Sequence, residues 1–259
     1  MSGSPGKNFE KWRGDSTLYF HCRPFLCVIK PSQALTISVT RNDIYTLATP
    51  DAWLEDNVIH FWIEYLEHEE LSKFPKANIR FVDPNVGSLL KNASTDVLYD
   101  IFNSSDYHQD KVTHIFIPVN DDRVADHEYA GGTATGNHWS LLVVSLLDNV
   151  AFHYDSLRGL NQTDAQNMVA KIQEALPARR TLRFVPMGAD DAPQQRDGSN
   201  CGTFVCIVMK HLLLKRLLRA DANQKVTMSM KGQDIDYEGA RKMILAVIEE
   251  RRNYAIENG

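Results

Sequence analysis

The sequence predicts a single α+β domain, and three observations carry that reading. Runs rich in β-branched and aromatic residues, VTHIFIPV, HWSLLVVSLL and NVAFHYD, lie close together mid-chain and read as strands. Longer segments with apolar residues at helical spacing stand on either side of them. No internal repeat or low-complexity tract divides the 259 residues, a length sufficient for one sizeable core.

Taken in order, residues 1–16 are polar and Gly/Pro-containing and read as a flexible tail, leaving 17–259 as the domain. Leu18–Ile29 and Ala34–Val39 read as short strands. Thr49 as N-cap and Pro50 at the first helical position predict a helix start, followed by AWLEDNVIHFWIEYLEHEEL with a wide apolar face. A short helix is expected over 94–103 and a buried strand over Val112–Val119. Asn120–Asn137, with its Asp-Asp, Gly-Gly and Thr-Gly pairs, reads as a long irregular loop of the kind that serves as a lid. HWSLLVVSLL and NVAFHYD then read as a hairpin, 162–176 as a helix and Thr181–Val185 as a strand. The polar loop Met187–Asn200 leads into the apolar helix CGTFVCIVMKHLLLKRLL, and Tyr237–Tyr254 closes the chain as an amphipathic helix. Lys210, Lys215, Arg216 and Arg219 read as the solvated face of the Cys201 helix.

A hydrophobic content of 43% and a charged content of 24% are ordinary for a globular protein. The formal charge of −5 argues against nucleic acid as a partner. No apolar run approaches the ~20 residues of a membrane span, and the polar N-terminus lacks the apolar stretch of a signal peptide. An intracellular protein of cytoplasm and/or nucleus is therefore expected, and its four cysteines fit a reducing compartment. Their pairing as Cys22-x4-Cys27 and Cys201-x4-Cys206 does not suit a zinc site. Positions five apart fall on opposite faces of a strand and diverge by roughly 140° on a helix. No metal or cofactor is expected.

The chemistry starts at Cys201, which follows the turn-forming run Asp197-Gly198-Ser199-Asn200 and opens an apolar helix. A thiol there feels the positive end of the helix dipole, which favours the nucleophilic thiolate. Gly202 beside it leaves room for a close approach of other backbone, such as a substrate chain. A cysteine nucleophile needs a base, and the base an orienting acceptor. His138 opens one strand of the expected hairpin and Asp155 closes the other. With a two-residue turn at Asp148-Asn149, Asp155 would stand ~13 Å along the strand from His138. A four-residue loop, Leu146–Asn149, or a turn centred on Leu146-Leu147, brings the two within side-chain reach. Gln195, six positions before Cys201, is a candidate oxyanion donor together with the Cys201 backbone N–H. Taken singly, each of these residues also has a plainer reading: an inert core thiol, a solvated histidine, a turn aspartate, a loop glutamine.

Their order and spacing are what decide. GNHWSLLVV…FHYDSL…PQQRDGSNCGTFV resembles the Ulp/SENP cysteine proteases, whose pattern is His-Trp, Asp-Ser and Gln-x5-Cys-Gly, and WLEDNVIHFWIEYL is similar to that family's Trp-Leu-x-Asp-x-x-Ile segment. The resemblance covers roughly residues 40–215. It implies a papain-like fold with a central mixed β-sheet flanked by helices, and the catalytic set His138, Asp155, Cys201 and Gln195. Ala-Pro-Gln-Gln and Gly-x-His-Trp-Ser-Leu-Leu-Val are most similar to the deneddylase branch, which removes a Nedd-type modifier from proteins such as cullins; SUMO-cleaving members share the core motifs. Two departures stand out. Asn200 replaces the Asp that usually precedes the nucleophile, and the Ala125–Asn137 insert is long.

The resemblance further implies that Trp139 roofs a tunnel admitting a Gly-Gly tail, with Trp53 as the other wall. Asp56 would hold a basic residue of that tail, and Asn120 would anchor substrate backbone. Plain core packing is the alternative for both tryptophans. The expected partners are a ubiquitin-like protein and its conjugates, met by a monomer without nucleic acid or membrane. Two functions of other classes use the same residues: acyl transfer to an acceptor other than water, and a silent module that only binds a ubiquitin-like protein.

Overall fold

A computed structural model describes residues 20–21, 38–103, 112–121, 138–176, 180–220 and 226–258. Strands β1 (Phe20–His21) and β2 (Ser38–Val39) pair antiparallel. Helix α1 (Arg41–Ala48) follows, closed at its start by a capping box in which the Thr40 side chain and Asp43 bond reciprocally. Thr49 is therefore the C-cap of α1 and not the N-cap of the next helix. That helix, α2 (Asp56–Tyr65), starts after an extended segment and continues through a π turn at Leu66–Glu70.

Besides α1, two further elements went unread in the sequence. Strand β3 (Ile79–Phe81) is only three residues long, and its partner lies far along the chain. Helix α3 (Pro84–Asn92) carries a clear start signal, Asp83 capping Asn85 N with Pro84 in the first turn. The expected helix over 94–103 is α4 (Thr95–Asn103). Strands β4 (His114–Asn120), β5 (Trp139–Ser145), β6 (Val150–Tyr154) and β7 (Arg183–Met187) complete the sheet, with α5 (Gln162–Ala175) between the last two. Asn120 thus ends a strand rather than opening the expected loop, most of which lies outside the described residues, as do residues 1–16 and the expected strand segment around Cys22 and Cys27. Helix α6 (Cys201–His211) runs on through 212–219, and α7 (Tyr237–Asn258) is the last element.

The sheet order is β3-β4-β5-β6-β7, parallel at its two outer pairings and antiparallel at the two inner ones, hence mixed. Both faces are covered, which is why β4 and β5 read as nearly unbroken apolar runs. Leu141 and Val143 pack with Phe116, Tyr154, Trp62 and the α6 residues Phe204 and Val205. Leu142 and Val144, one step out of phase, pack with Ile117, Leu90, Met168 and Ile172. Trp62 ties α2 to α6, its indole N–H donating to Cys206 O at 2.8 Å. The basic cluster of α6 is only partly solvated: Lys210 Nζ lies 5.4 Å from the Trp62 ring centroid, and Arg216 donates to Ser229 O. Among the described residues no helix is long and apolar enough to cross a membrane.

Candidate active site

The geometry of the site is decided at the β5–β6 turn. Ser145 pairs with Val150, so the connection is the four-residue turn Leu146–Asn149, with Asn149 at φ 53°. Leu141 then faces Tyr154, and the same register sets Asp155 opposite Ser140, diagonal to His138. This is one of the two turns that bring His138 and Asp155 within side-chain reach. The imidazole Nε2 and Asp155 Oδ1 lie 2.8 Å apart, both residues being buried.

Backbone and side-chain donors hold this pair still. Asp155 Oδ1 also accepts from Leu157 N at 2.8 Å, and Oδ2 from Asn161 N at 2.8 Å. The Asn161 side chain, fully buried, donates to His138 O at 3.1 Å and to Val119 O at 3.2 Å. Asp121 Oδ1 accepts from His138 N at 2.8 Å. Burial opposes ionisation of Asp155, but its bonds to His138 and to these backbone N–H groups outweigh it and hold the carboxyl below its ordinary range. An ionised carboxylate only accepts, so the proton between the pair belongs to Nε2. Burial likewise pulls His138 down, yet Asp155 and then Cys201 raise it to about 9. Its Nδ1 is buried and forms no hydrogen bond of good geometry among the described residues. The Cys201 thiol thus acts on the ring from close by without a fully formed bond to it.

Cys201 is the first residue of α6 and is buried. Asp197 Oδ1 accepts from the N–H groups of Ser199 and Asn200, which shapes the turn that delivers the chain to the helix. Gly202 serves a different neighbour from the one its sequence suggested. A Cβ there would lie 3.0 Å from Leu54 Cβ, so the close approach comes from the segment carrying Trp53 and not from free space for a substrate chain. The buried Arg241 of α7 ties the same region together. It donates to Asn200 Oδ1 at 2.8 Å, Thr46 O at 2.8 Å, Thr49 O at 3.1 Å and Ala52 O at 2.6 Å.

Gln195 is buried in the loop before α6, where its Oε1 accepts from Ser156 Oγ at 2.5 Å and its Nε2 donates to Asp197 O at 2.7 Å. Trp139 is half-buried against the core at the start of β5, paired across the sheet with Asn120, which is buried. Trp53 is 50% exposed, in the segment before α2, and Asp56 is half-buried in the first turn of that helix. The structure thus brings His138, Asp155 and Cys201 together, with Trp139 and Asn120 on the adjoining strand ends. Among the described residues neither Trp53 nor Asp56 bonds to that group. Sequence reading missed Asn161, Asp121 and Arg241. Asn161 carried a weak signal as the N-cap of α5; the others carried none, since their partners are distant in the chain. None of the described residues forms a cluster suited to a metal ion.

Comparison with known proteins identifies the family and the fold. Residues 52–242 match the family described as Ulp1 protease family, C-terminal catalytic domain. The chain is similar to NEDD8-specific protease 2 of Schizosaccharomyces pombe, 27% identical over 215 residues, covering 82% of this chain and 48% of that protein. It is likewise similar to NEDD8-specific protease 1 of the same organism, at 29% over 70% of this chain and 40% of that protein, so the match spans less than half the length of either yeast relative. Sentrin-specific protease 8 of Homo sapiens is 30% identical over 65% of this chain and 74% of that protein. In fold, the chain resembles the C-terminal Ulp1 protease domain solved in complex with Smt3, the yeast ortholog of SUMO, with TM-score 0.65 and 17% identity over 97% of this chain and 96% of that one.

Proposed function

Since the chain belongs to the Ulp1 protease family over residues 52–242, we propose that it is a cysteine protease cleaving the bond after the C-terminal glycine of a Nedd-type ubiquitin-like modifier. One observation carries the reading: the His138 Nε2–Asp155 Oδ1 bond of 2.8 Å, with Nδ1 left for the thiol that opens α6. The names of the yeast and human relatives support the modifier class.

In the proposed reaction the Cys201 sulfur anion attacks the glycine carbonyl carbon. The carbonyl π pair moves to oxygen, and the oxyanion is met by the Cys201 N–H and the Gln195 amide. As the tetrahedral species collapses, the carbon–nitrogen bond breaks and His138 Nδ1–H gives its proton to the departing lysine amine. Water, deprotonated by the now neutral imidazole, hydrolyses the thioester and restores the thiolate–imidazolium pair. Asp155 stays ionised throughout and keeps the ring oriented. Trp139 and Trp53 are assigned to the walls of the tail channel, Asp56 to a basic residue of the tail and Asn120 to substrate backbone. Cullin conjugates as targets, a monomeric enzyme, and residence in cytoplasm or nucleus complete the proposal.

The test is a side-by-side assay of Nedd-type, SUMO and ubiquitin conjugates with the parent and Cys201→Ala. Nedd-type conjugates should be cleaved fastest, and the alanine variant should be inert. Faster SUMO cleavage overturns the modifier assignment, and turnover by Cys201→Ala overturns the mechanism.

A further inference from the structure

Resting on the role proposed for Gln195, we infer that Ser156 is a positioning residue that sets the orientation of the oxyanion-binding amide. The loop before the nucleophile is latched to the turn after β6 by both of its adjacent glutamines. Gln194 Nε2 donates to Asp155 O at 3.0 Å, and Gln194 Oε1 accepts from Arg158 N at 3.0 Å. Gln195 N donates to Ser156 O at 3.1 Å, and Ser156 Oγ donates to Gln195 Oε1 at 2.5 Å. The residue that orients the imidazole and the residue that grips the glutamine are therefore neighbours on one turn.

The direction of the amide follows from hydrogen-bond chemistry. A peptide carbonyl only accepts, so Nε2 must be the atom facing Asp197 O. That leaves Oε1 toward Ser156, whose hydroxyl must donate. Nε2 carries two hydrogens, and among the described residues only Asp197 O takes one. The second is left for a developing oxyanion. Ser156 is almost wholly buried at 1% exposure, so no water can readily take over its donation. Without the hydroxyl, Oε1 loses its fixed donor and the Asp197 O bond alone holds the amide, which can swing about that bond and carry its second N–H away from the oxyanion.

The experiment is a double-mutant cycle on Ser156→Ala and Gln195→Ala, read by steady-state turnover of the best-cleaved modifier carrying a C-terminal fluorogenic amide. The alkylation rate of Cys201 by iodoacetamide is measured alongside. Alkylation forms no oxyanion, so it reports the Cys–His–Asp unit alone and shows that each variant is folded. Gln195→Ala should lose about 100-fold in kcat. Ser156→Ala should lose on the order of tenfold in kcat with KM within about threefold of the parent, and the double variant should be no worse than Gln195→Ala within about twofold. Alkylation should stay at the parent rate in all three. If Gln195→Ala is slow but Ser156→Ala keeps full kcat, the inference fails while the oxyanion role stands. A double variant well below Gln195→Ala, or slowed alkylation in Ser156→Ala, also overturns it. Full kcat in Gln195→Ala removes the oxyanion role itself, and the inference with it.

Discussion

Arg241 donates from Nε to Oδ1 of Asn200 at 2.8 Å, so the last helix grips the residue immediately before Cys201. The same guanidinium serves carbonyls at the end of α1 and before Trp53, so three chain segments meet on one buried cation.

Arg241→Lys cannot reproduce that fork and should lose about 2–4 kcal/mol of stability, read from the urea midpoint. Asn200→Asp gives the cation a carboxylate partner in the same shape and should gain on the order of 1 kcal/mol at neutral pH. A lowered midpoint in Asn200→Asp would mean that losing the Asn200 amide bond to Asp197, with repulsion between the two carboxylates, outweighs the new ion pair.

Asn161 binds both members of the His138–Asp155 pair, His138 through its side chain and Asp155 through its backbone N–H. Asn161→Ala removes only the side-chain link and should lower kcat about tenfold with little change in KM. An unchanged kcat would assign Asn161 to joining β4 and β5 and to nothing catalytic.

The pH profile follows from His138. Its folded value, about 9, lies above the ordinary 6.5, so the protonated ring is the form that the site stabilises. That stabilisation is fully present below pH 6.5 and is lost as pH rises through about 9. The alkaline limb of kcat/KM should therefore fall near pH 9. Asp155→Asn removes the strongest group that raises His138, so its limb should move to lower pH, with at least about 100-fold lower activity. A limb unmoved in Asp155→Asn would rule out Asp155 as the cause of the raised value.

Glu64 provides a pH effect away from the site. Burial raises its carboxyl to about 7 against the pull of His60, and its Oε1 has no partner among the described residues. Here the neutral form is favoured in the fold, so stability is present in full below the ordinary 4.5 and falls as pH rises toward 7. Glu64→Gln should gain on the order of 1–2 kcal/mol at pH 8 and nothing at pH 4, read from thermal melts. An equal gain at both values would point to packing instead of charge.

The α+β class, the family and the grouping of His138, Asp155 and Cys201 were legible in the sequence, because each of the three residues sits beside a strand end or helix start that local patterning marks. Helix α1 was missed because Thr49-Pro50 looks like a start signal while the chain uses Thr49 as an end, and three-residue β3 is held only by a distant partner. Sequence spacing allowed three hairpin registers, one of them placing Asp155 far from His138. Only the folded turn Leu146–Asn149 chose between them, because side-chain reach across a sheet depends on which residues face each other and not on their separation along the chain. The same holds for Leu54 against Gly202, Arg241 on Asn200, and the two glutamines latched to the Asp155 turn. Each contact joins segments that no local periodicity connects, so packing alone could reveal it.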